Sequence, residues 1–419
     1  MLNRQVAPKA YMLKDLSLTK PEVKKLSNDV SVHIIQDDTN PVLKIDILYP
    51  AGRTNDNKPG ESLICAKVLV EGTKSYPGSE LQELLDHYGA HLDFAVDYDY
   101  TTVSLLCLKE HINTLLPVLK SAIKEPLFED KDFEKIKLQQ LQKIRVNNQK
   151  NSLIATRNLR KNLLQGTPYA SILEEDELNA IHKEDIENYF NKYFALQPDI
   201  IVAGDFDEDI FNYFDEYFGN LEFKPNEPQY TGKLNPNLEE KKIEREGSVQ
   251  ASIRMGAISI PRDHPDYFDL SITNEILGGY FGSRLMKNIR EDKGYTYGIY
   301  SVLINYKHVD YHIIGADVKI DHIEDTIQEV YHEMEDLKTN RVPEEEIETI
   351  KNYMLGKIAS SLDTVFHQSE NYKVKLSEGA DYIDYFDAYV KSIRNITAER
   401  ILEISKKYFS EEYCVIKVA

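Results

Sequence analysis

The stretch His182-Lys-Glu-Asp-Ile-Glu-Asn-Tyr-Phe-Asn-Lys-Tyr-Phe194 has a counterpart far down the chain, Thr397-Ala-Glu-Arg-Ile-Leu-Glu-Ile-Ser-Lys-Lys-Tyr-Phe409. Both show helical apolar spacing and end in Lys-Tyr-Phe. Each is followed, after a short turn, by an apolar strand pattern, Ile200-Ile-Val-Ala203 and Val415-Ile-Lys-Val418. The offset is 215 residues (182 to 397). Upstream, Phe133-Glu-Lys-Ile-Lys137 stands against Ile347-Glu-Thr-Ile-Lys351 at an offset of 214 (133 to 347). Three matches in order at nearly one spacing read as one unit used twice.

Inside each half, strand and helix patterns alternate. Val30-Ser-Val-His-Ile-Ile35 and Leu43-Lys-Ile-Asp-Ile-Leu-Tyr49 carry the period-2 spacing of half-buried strands. Ser79 reads as a helix N-cap, Leu81, Leu84, Leu85 and Tyr88 as an apolar stripe, and Gly89 as its stop. In the second half Ile323, Ile327, Val330, Met334 and Leu337 make one helix face. The expected fold is α+β, two homologous halves, each an antiparallel-leaning sheet with helices packed on one side. The seam falls where Pro225, Pro228, Gly232 and Pro236 precede the charged run of residues 239–246. This predicts a first domain over 1–223, an exposed linker over 224–247 and a second domain over 248–419.

Composition narrows the partners. Among 419 residues, 50 basic and 70 acidic side chains leave a net charge of −20, and 42% of residues are hydrophobic. So acidic a chain is repelled by phosphate backbones and anionic lipid, which argues against nucleic-acid and membrane binding. No apolar run reaches the ~18–20 residues of a transmembrane helix. The start, Met1-Leu-Asn-Arg-Gln-Val-Ala-Pro-Lys-Ala10, lacks the apolar core of a secretory signal. Cys65, Cys107 and Cys414 are too few and too far apart for a disulfide framework and suit buried thiols. A cytoplasmic location is expected, with a periplasm also compatible.

The segment Gly278-Gly-Tyr-Phe-Gly-Ser-Arg-Leu-Met-Lys-Asn-Ile-Arg-Glu-Asp-Lys-Gly-Tyr-Thr-Tyr-Gly-Ile-Tyr-Ser301 closely resembles the glycine-rich turn, helix and strand in the second domain of insulinase-type (M16, pitrilysin-like) zinc peptidases. Ala51-Gly52-Arg53, Glu71-Gly72-Thr73, Asp99-Tyr-Thr-Thr102 and Gly166-Thr-Pro-Tyr169 agree in order, so the resemblance runs from about residue 20 to the end. It implies the family's short branch, in which two chains close around a peptide chamber. Active members carry His-x-x-Glu-His on a helix and a further Glu roughly 75 residues later. Two histidines one turn apart and that carboxylate hold zinc, and the motif's Glu activates its water. Counted back from Gly72-Thr73, the histidine positions fall on Leu63 and Lys67 and the catalytic Glu on Ala66. Leucine and alanine have no donor atom, and an ammonium repels a metal cation.

The distal ligand is missing as well. Residues 135–173 contain no Asp or Glu but hold Lys135, Lys137, Lys143, Arg145, Lys150, Arg157, Arg160 and Lys161. The plain reading of this run is a solvated helix face. The sharper one is that it lines the interior or a partner interface, Lys67 and its neighbours replacing the charge of the absent zinc. Two histidine pairs are spaced for a relocated metal. His87 and His91 are split by Gly89, and His308 and His312 share a face of the strand-like residues 306–314 without a convergent carboxylate. Both read better as surface or hydrogen-bonded core residues.

What persists is the second-domain pair that family members use to grip the substrate backbone, here Arg290 and Tyr297. Arg290 should end a helix begun near Ser283, Gly294 should turn the chain, and Tyr297 should lie on the next strand. Gly278, Gly279 and Gly282 lack the Gly-Lys-Ser/Thr ending of a phosphate loop, and Ser283 is not in Gly-x-Ser-x-Gly. The resemblance therefore implies a non-catalytic, substrate-binding subunit of a heteromeric zinc peptidase. It would have no catalytic residue or cofactor of its own, zinc being carried by a homologous partner. The partner reading leaves a homodimer open, with an extended peptide as substrate. The alternative is a structural or peptide-binding protein of the same fold with no part in proteolysis.

Overall fold

A computed structural model describes residues 16, 18–207, 209–226, 230, 232–409 and 412–419. The reading of the N-terminal ten residues, and Pro228, lie outside these. The first half supplies strands β1 (Glu22–Lys25), β2 (Ser31–Gln36), β3 (Val42–Tyr49), β4 (His91–Val96), β5 (Thr101–Leu108) and β6 (Asp199–Gly204). Its helices are α1 (Glu61–Leu69), α2 (Ser79–His87), α3 (Ile112–Lys124), α4 (Asp130–Asn147), α5 (Asn151–Leu163), α6 (Glu175–Asn179), α7 (Lys183–Tyr193) and α8 (Ile210–Phe218). The second half gives β7 (Lys241–Ile243), β8 (Gln250–Ile258), β9 (Thr296–Asn305), β10 (Asp310–Lys319) and β11 (Cys414–Val418). With them come α9 (Tyr267–Asn274), α10 (Ile323–Thr339), α11 (Glu344–Ser360), α12 (Val365–Glu378), α13 (Tyr382–Asn395) and α14 (Ala398–Tyr408).

Two sheets form among the described residues, in the orders β1-β2-β6-β3-β5-β4 and β7-β11-β8-β10-β9. Apart from the extra edge strand β1 they match strand for strand. β2 beside β6 and β7 beside β11 are the parallel pairs, and every other pairing is antiparallel. The repeat seen in the sequence is therefore a repeat of topology, and β6 and β11 begin 215 residues apart (199 to 414).

The core of the first sheet forms where alternate strand residues meet the helices. Val32, Ile34, Ile45, Ile47, Val103, Leu105, Ile200 and Val202 pack with Ile64, Val68 and Leu69 of α1, Leu115 and Leu119 of α3 and Ile186 of α7. Each such side chain contributes about 1.5–3 kcal/mol on leaving water. α2 starts one residue earlier than its Ser79 cap implied: Gly78 takes the cap position, and Gly89, at φ +58°, ends the turn beyond it.

Two features depart from the sequence reading. The charged run placed in the 224–247 linker contains β7, which pairs with β11 in the position β2 holds beside β6. An edge strand needs backbone partners on one side only, so a solvated charged sequence can supply it. The second is α12. Contacts divide the chain into one unit of Thr19–Pro236 with Thr364–Ala380 and another built on Asn237–Asp363 and Asp381–Ala419. The 248–419 expectation did not separate α12 from its neighbours. α12 packs on β2 and β6, over the sheet face that points away from the other helices. That face sets a polar cluster among buried apolar residues such as Ile35, Ile201 and Ala203: His33, Lys44 and Asp46 are answered from α12 by Tyr372, Glu370 and Lys373.

Candidate functional site

α1 carries the positions where the family resemblance places the zinc motif. Its N-terminus is closed by Asp56, whose carboxylate accepts the N–H groups of Gly60 and Ser62, each at 2.8 Å. Burial pushes the Asp56 carboxyl up to about 7, against those two donations, which favour its charged form. Ile64, Cys65, Val68 and Leu69 face the core, Ala66 is buried, and Leu63 and Lys67 are half-buried one turn apart on the remaining face. A methyl group, an isobutyl group and an ammonium replace the motif's carboxylate and two imidazoles. Lys67 makes no ion pair or hydrogen bond among the described residues.

α4 packs against α1. Roughly 75 residues beyond Leu63 and Lys67 the chain has reached residues 138–142, Leu-Gln-Gln-Leu-Gln, on α4. Gln140 is buried there, aligned with Phe133, Ile136 and Ile144, while Leu138, Gln139 and Gln142 are exposed. Neutral amides do not compensate a divalent cation, so these residues do not fit zinc. No group of three or more His, Cys, Asp and Glu side chains able to hold a metal occurs among the described residues.

Most of the basic run is tied to nearby groups. Lys135 pairs with Glu71, Arg145 with Glu175 at 3.0 Å and Arg157 with Glu174 at 3.3 Å. Lys137 donates to the Ile181 carbonyl and Arg160 to that of Ser171. Lys143, Lys150 and Lys161 are exposed. The run is thus mainly a helix surface paired with local acceptors.

The histidine pairs separate. His87 ends α2 and His91 begins β4, both exposed. His308 lies exposed in the β9–β10 hairpin turn, not on a strand, because the chain must reverse there. His312, on β10, is buried, and burial lowers its pKa to about 4. Its network went unseen in the sequence, because its members come from three elements and the residue before β11, with no local signal. The Ser301 hydroxyl donates to Asn274 Oδ1 at 2.5 Å, so the 2.6 Å contact to His312 Nε2 has the imidazole N–H donating to Ser301. His312 Nδ1 then accepts from the Tyr413 hydroxyl at 2.9 Å. All four side chains are buried, which makes this a core network, not a nucleophile and its base.

In the second unit, the predicted Arg290 and Tyr297 take the expected places. A helix runs from Arg284 and widens to π-helical geometry over Met286–Asp292, with Arg290 in its last turn. Gly294, at φ +66°, turns the chain, and Tyr297 lies on the edge strand β9. Arg290 is half-buried with its guanidinium 4.5 Å from the centre of the Phe281 ring, and Tyr297 is 89% exposed. The two make no direct hydrogen bond or ring contact with each other. Glycine at 278 has a packing cause: a Cβ there would lie 2.6 Å from that of Ser301 on β9.

Duplicated α+β halves, with a helix whose metal-motif positions hold no metal ligand and a second-half turn, helix and strand presenting an arginine and a tyrosine, define a peptidase scaffold without its metal centre. The pattern of the insulinase family (peptidase family M16) matches residues 32–177 and that of the peptidase M16 inactive domain matches residues 180–354; the chain belongs to this family. Two relatives cover most of it. An uncharacterized zinc protease, YmxG, of Bacillus subtilis (strain 168) is 25% identical over 86% of this chain and 88% of its own. The non-peptidase homolog YmxG of Helicobacter pylori (strain ATCC 700392 / 26695) is 25% identical over 84% of each. The crystal structure of a peptidase M16 inactive domain from Pseudomonas fluorescens superposes with a TM-score of 0.86 at 21% identity, covering 95% of this chain and 98% of that one. This is an M16-fold protein of the non-catalytic kind, its own zinc-motif positions being unable to hold the metal. No helix among the described residues is long and apolar enough to cross a membrane.

Proposed function

We propose that this chain is the substrate-binding subunit of a heteromeric insulinase-type peptidase, in which a homologous partner carries the zinc and this chain supplies Arg290 and Tyr297 to an extended peptide. The observation that carries the reading is the 89% exposure of Tyr297 on the edge strand β9, in the same segment as a half-buried Arg290 stacked on an exposed Phe281. Folding gains by burying aromatic surface, so rings left in water on an outer strand serve contact with something else. A guanidinium and a phenol both donate hydrogen bonds, and a peptide carbonyl gaining negative charge is their natural acceptor. This chain's part is to bind and orient.

The test is reconstitution. The chain alone is expected to contain no stoichiometric zinc by elemental analysis and to leave fluorogenic peptides intact. Mixed with a zinc-bearing homologue from the same host, it should yield peptidase activity that falls about 100-fold for Arg290→Ala or Tyr297→Phe. One equivalent of zinc and turnover in the isolated chain would overturn the proposal. Activity of the mixture that ignores both substitutions would leave a purely structural role.

A further inference from the structure

We infer that the face of α1 corresponding to the family's zinc motif binds, in this chain, the carboxylate of an Asp or Glu side chain on an extended peptide, with Lys67 as its counter-ion. This rests on the peptide-binding reading above and adds the chemistry of the substrate.

Lys67 differs from several cations of the same unit that have acid partners: Lys58 pairs with Asp185 at 2.6 Å, Lys135 with Glu71 and Arg157 with Glu174. Glu71, four residues on and just past the end of α1, is paired with Lys135 of α4. Lys67 is therefore half-buried yet without a compensating acid among the described residues. A lysine whose stem is half-buried and whose ammonium has no internal partner can take an arriving carboxylate without giving up an existing ion pair.

The surroundings select the same ligand. α4, packed on α1, carries the exposed Leu138 (56%), Gln139 and Gln142; residues 135–173 contain no Asp or Glu, and Glu71, Glu174 and Glu175, which meet this run, are neutralised by Lys135, Arg157 and Arg145. Leu63 and Leu138 provide apolar contact for the peptide's neighbouring side chains, and the exposed amides can hydrogen-bond its backbone. The net charge of −20 works against polyanions such as nucleic acids. A single side-chain carboxylate on an otherwise neutral peptide meets the local cation without that penalty. A basic side chain at this point would face Lys67 directly.

The experiment is fluorescence anisotropy of the full chain with two labelled ten-residue peptides, blocked at both termini and differing only by Glu or Gln at a central position. The Glu peptide is expected to bind roughly fivefold more tightly at low salt, and the preference should shrink as salt rises. Lys67→Gln should abolish the preference while leaving the Gln peptide's affinity within about twofold, and Lys67→Arg should retain it. Thermal melting of each variant shows whether the fold is intact. Equal affinities for the two peptides, or a preference that survives in Lys67→Gln, overturn this inference and leave the peptide-binding reading standing. Failure of both peptides to bind overturns both.

Discussion

The zinc-motif positions are decided by three side chains with no capacity to ligate, and that was readable without coordinates because donor chemistry is a property of residue type. His312 shows the opposite case. In the sequence it was half of a suspected metal pair; folded, it is a neutral imidazole held between Ser301 and Tyr413. Burial lowers its pKa from 6.5 to about 4, so between those values the unfolded chain binds a proton that the folded chain does not. The stabilising contribution is thus present above about pH 6.5 and is lost as pH falls toward 4. Urea unfolding of the native chain should show it weaker by about 2 kcal/mol from this group at pH 5 than at pH 7. That increment should vanish in His312→Gln, and a profile unchanged by the substitution would show that the imidazole is not held neutral.

At the scale of elements, α12 is the informative case. Its apolar periodicity is ordinary, but its seat is a set of polar contacts that no local pattern announces. Tyr372 meets His33 Nδ1 at 2.6 Å, Lys373 donates to Asp46 at 3.2 Å, Lys44 pairs with both Asp46 and Glu370, and Ser104 donates to Asp46 at 2.5 Å. Asp46 is 1% exposed, and its removal leaves the Lys44 and Lys373 ammoniums to share the more exposed Glu370 alone among the described acids. Asp46→Ala should cost about 3–5 kcal/mol in denaturant unfolding. The more exposed Lys357, which reaches Glu275 at 2.8 Å, should cost less than about 1 kcal/mol as Lys357→Ala. Comparable losses for the two would mean that burial is not what gives Asp46 its weight. β7 teaches a related lesson. Its charged residues suggested a linker because hydrophobic patterning reports side-chain burial, whereas an edge strand is made by backbone pairing that patterning does not see.

At the scale of the molecule, the two sheets share one topology, yet the units are not two contiguous pieces of chain. Thr364–Ala380 belongs by contact with Thr19–Pro236. A fragment of residues 19–236 would therefore expose the sheet face that carries His33, Lys44 and Asp46 together with Ile35 and Ile201. It should melt lower, by on the order of 10 °C, than the same fragment with residues 364–380 attached through a flexible linker. Identical melting temperatures would show that α12 adds nothing to that unit.

Residue type and spacing alone carry the duplication, its 215-residue offset, the α+β class, the absence of metal donors at 63, 66 and 67, and the order of helix, turn and strand around Arg290 and Tyr297. Periodicity, glycine turns and donor chemistry are local quantities, written in residue type and spacing. Only the tertiary structure decided that Lys67 has no acid to pair with while Lys135 takes Glu71, that His312 is buried and His308 is not, that a charged run closes the second sheet, and that α12 covers the first. Each of these depends on which groups from distant parts of the chain meet, and on how much water they lose in meeting, which spacing along one strand of sequence does not encode.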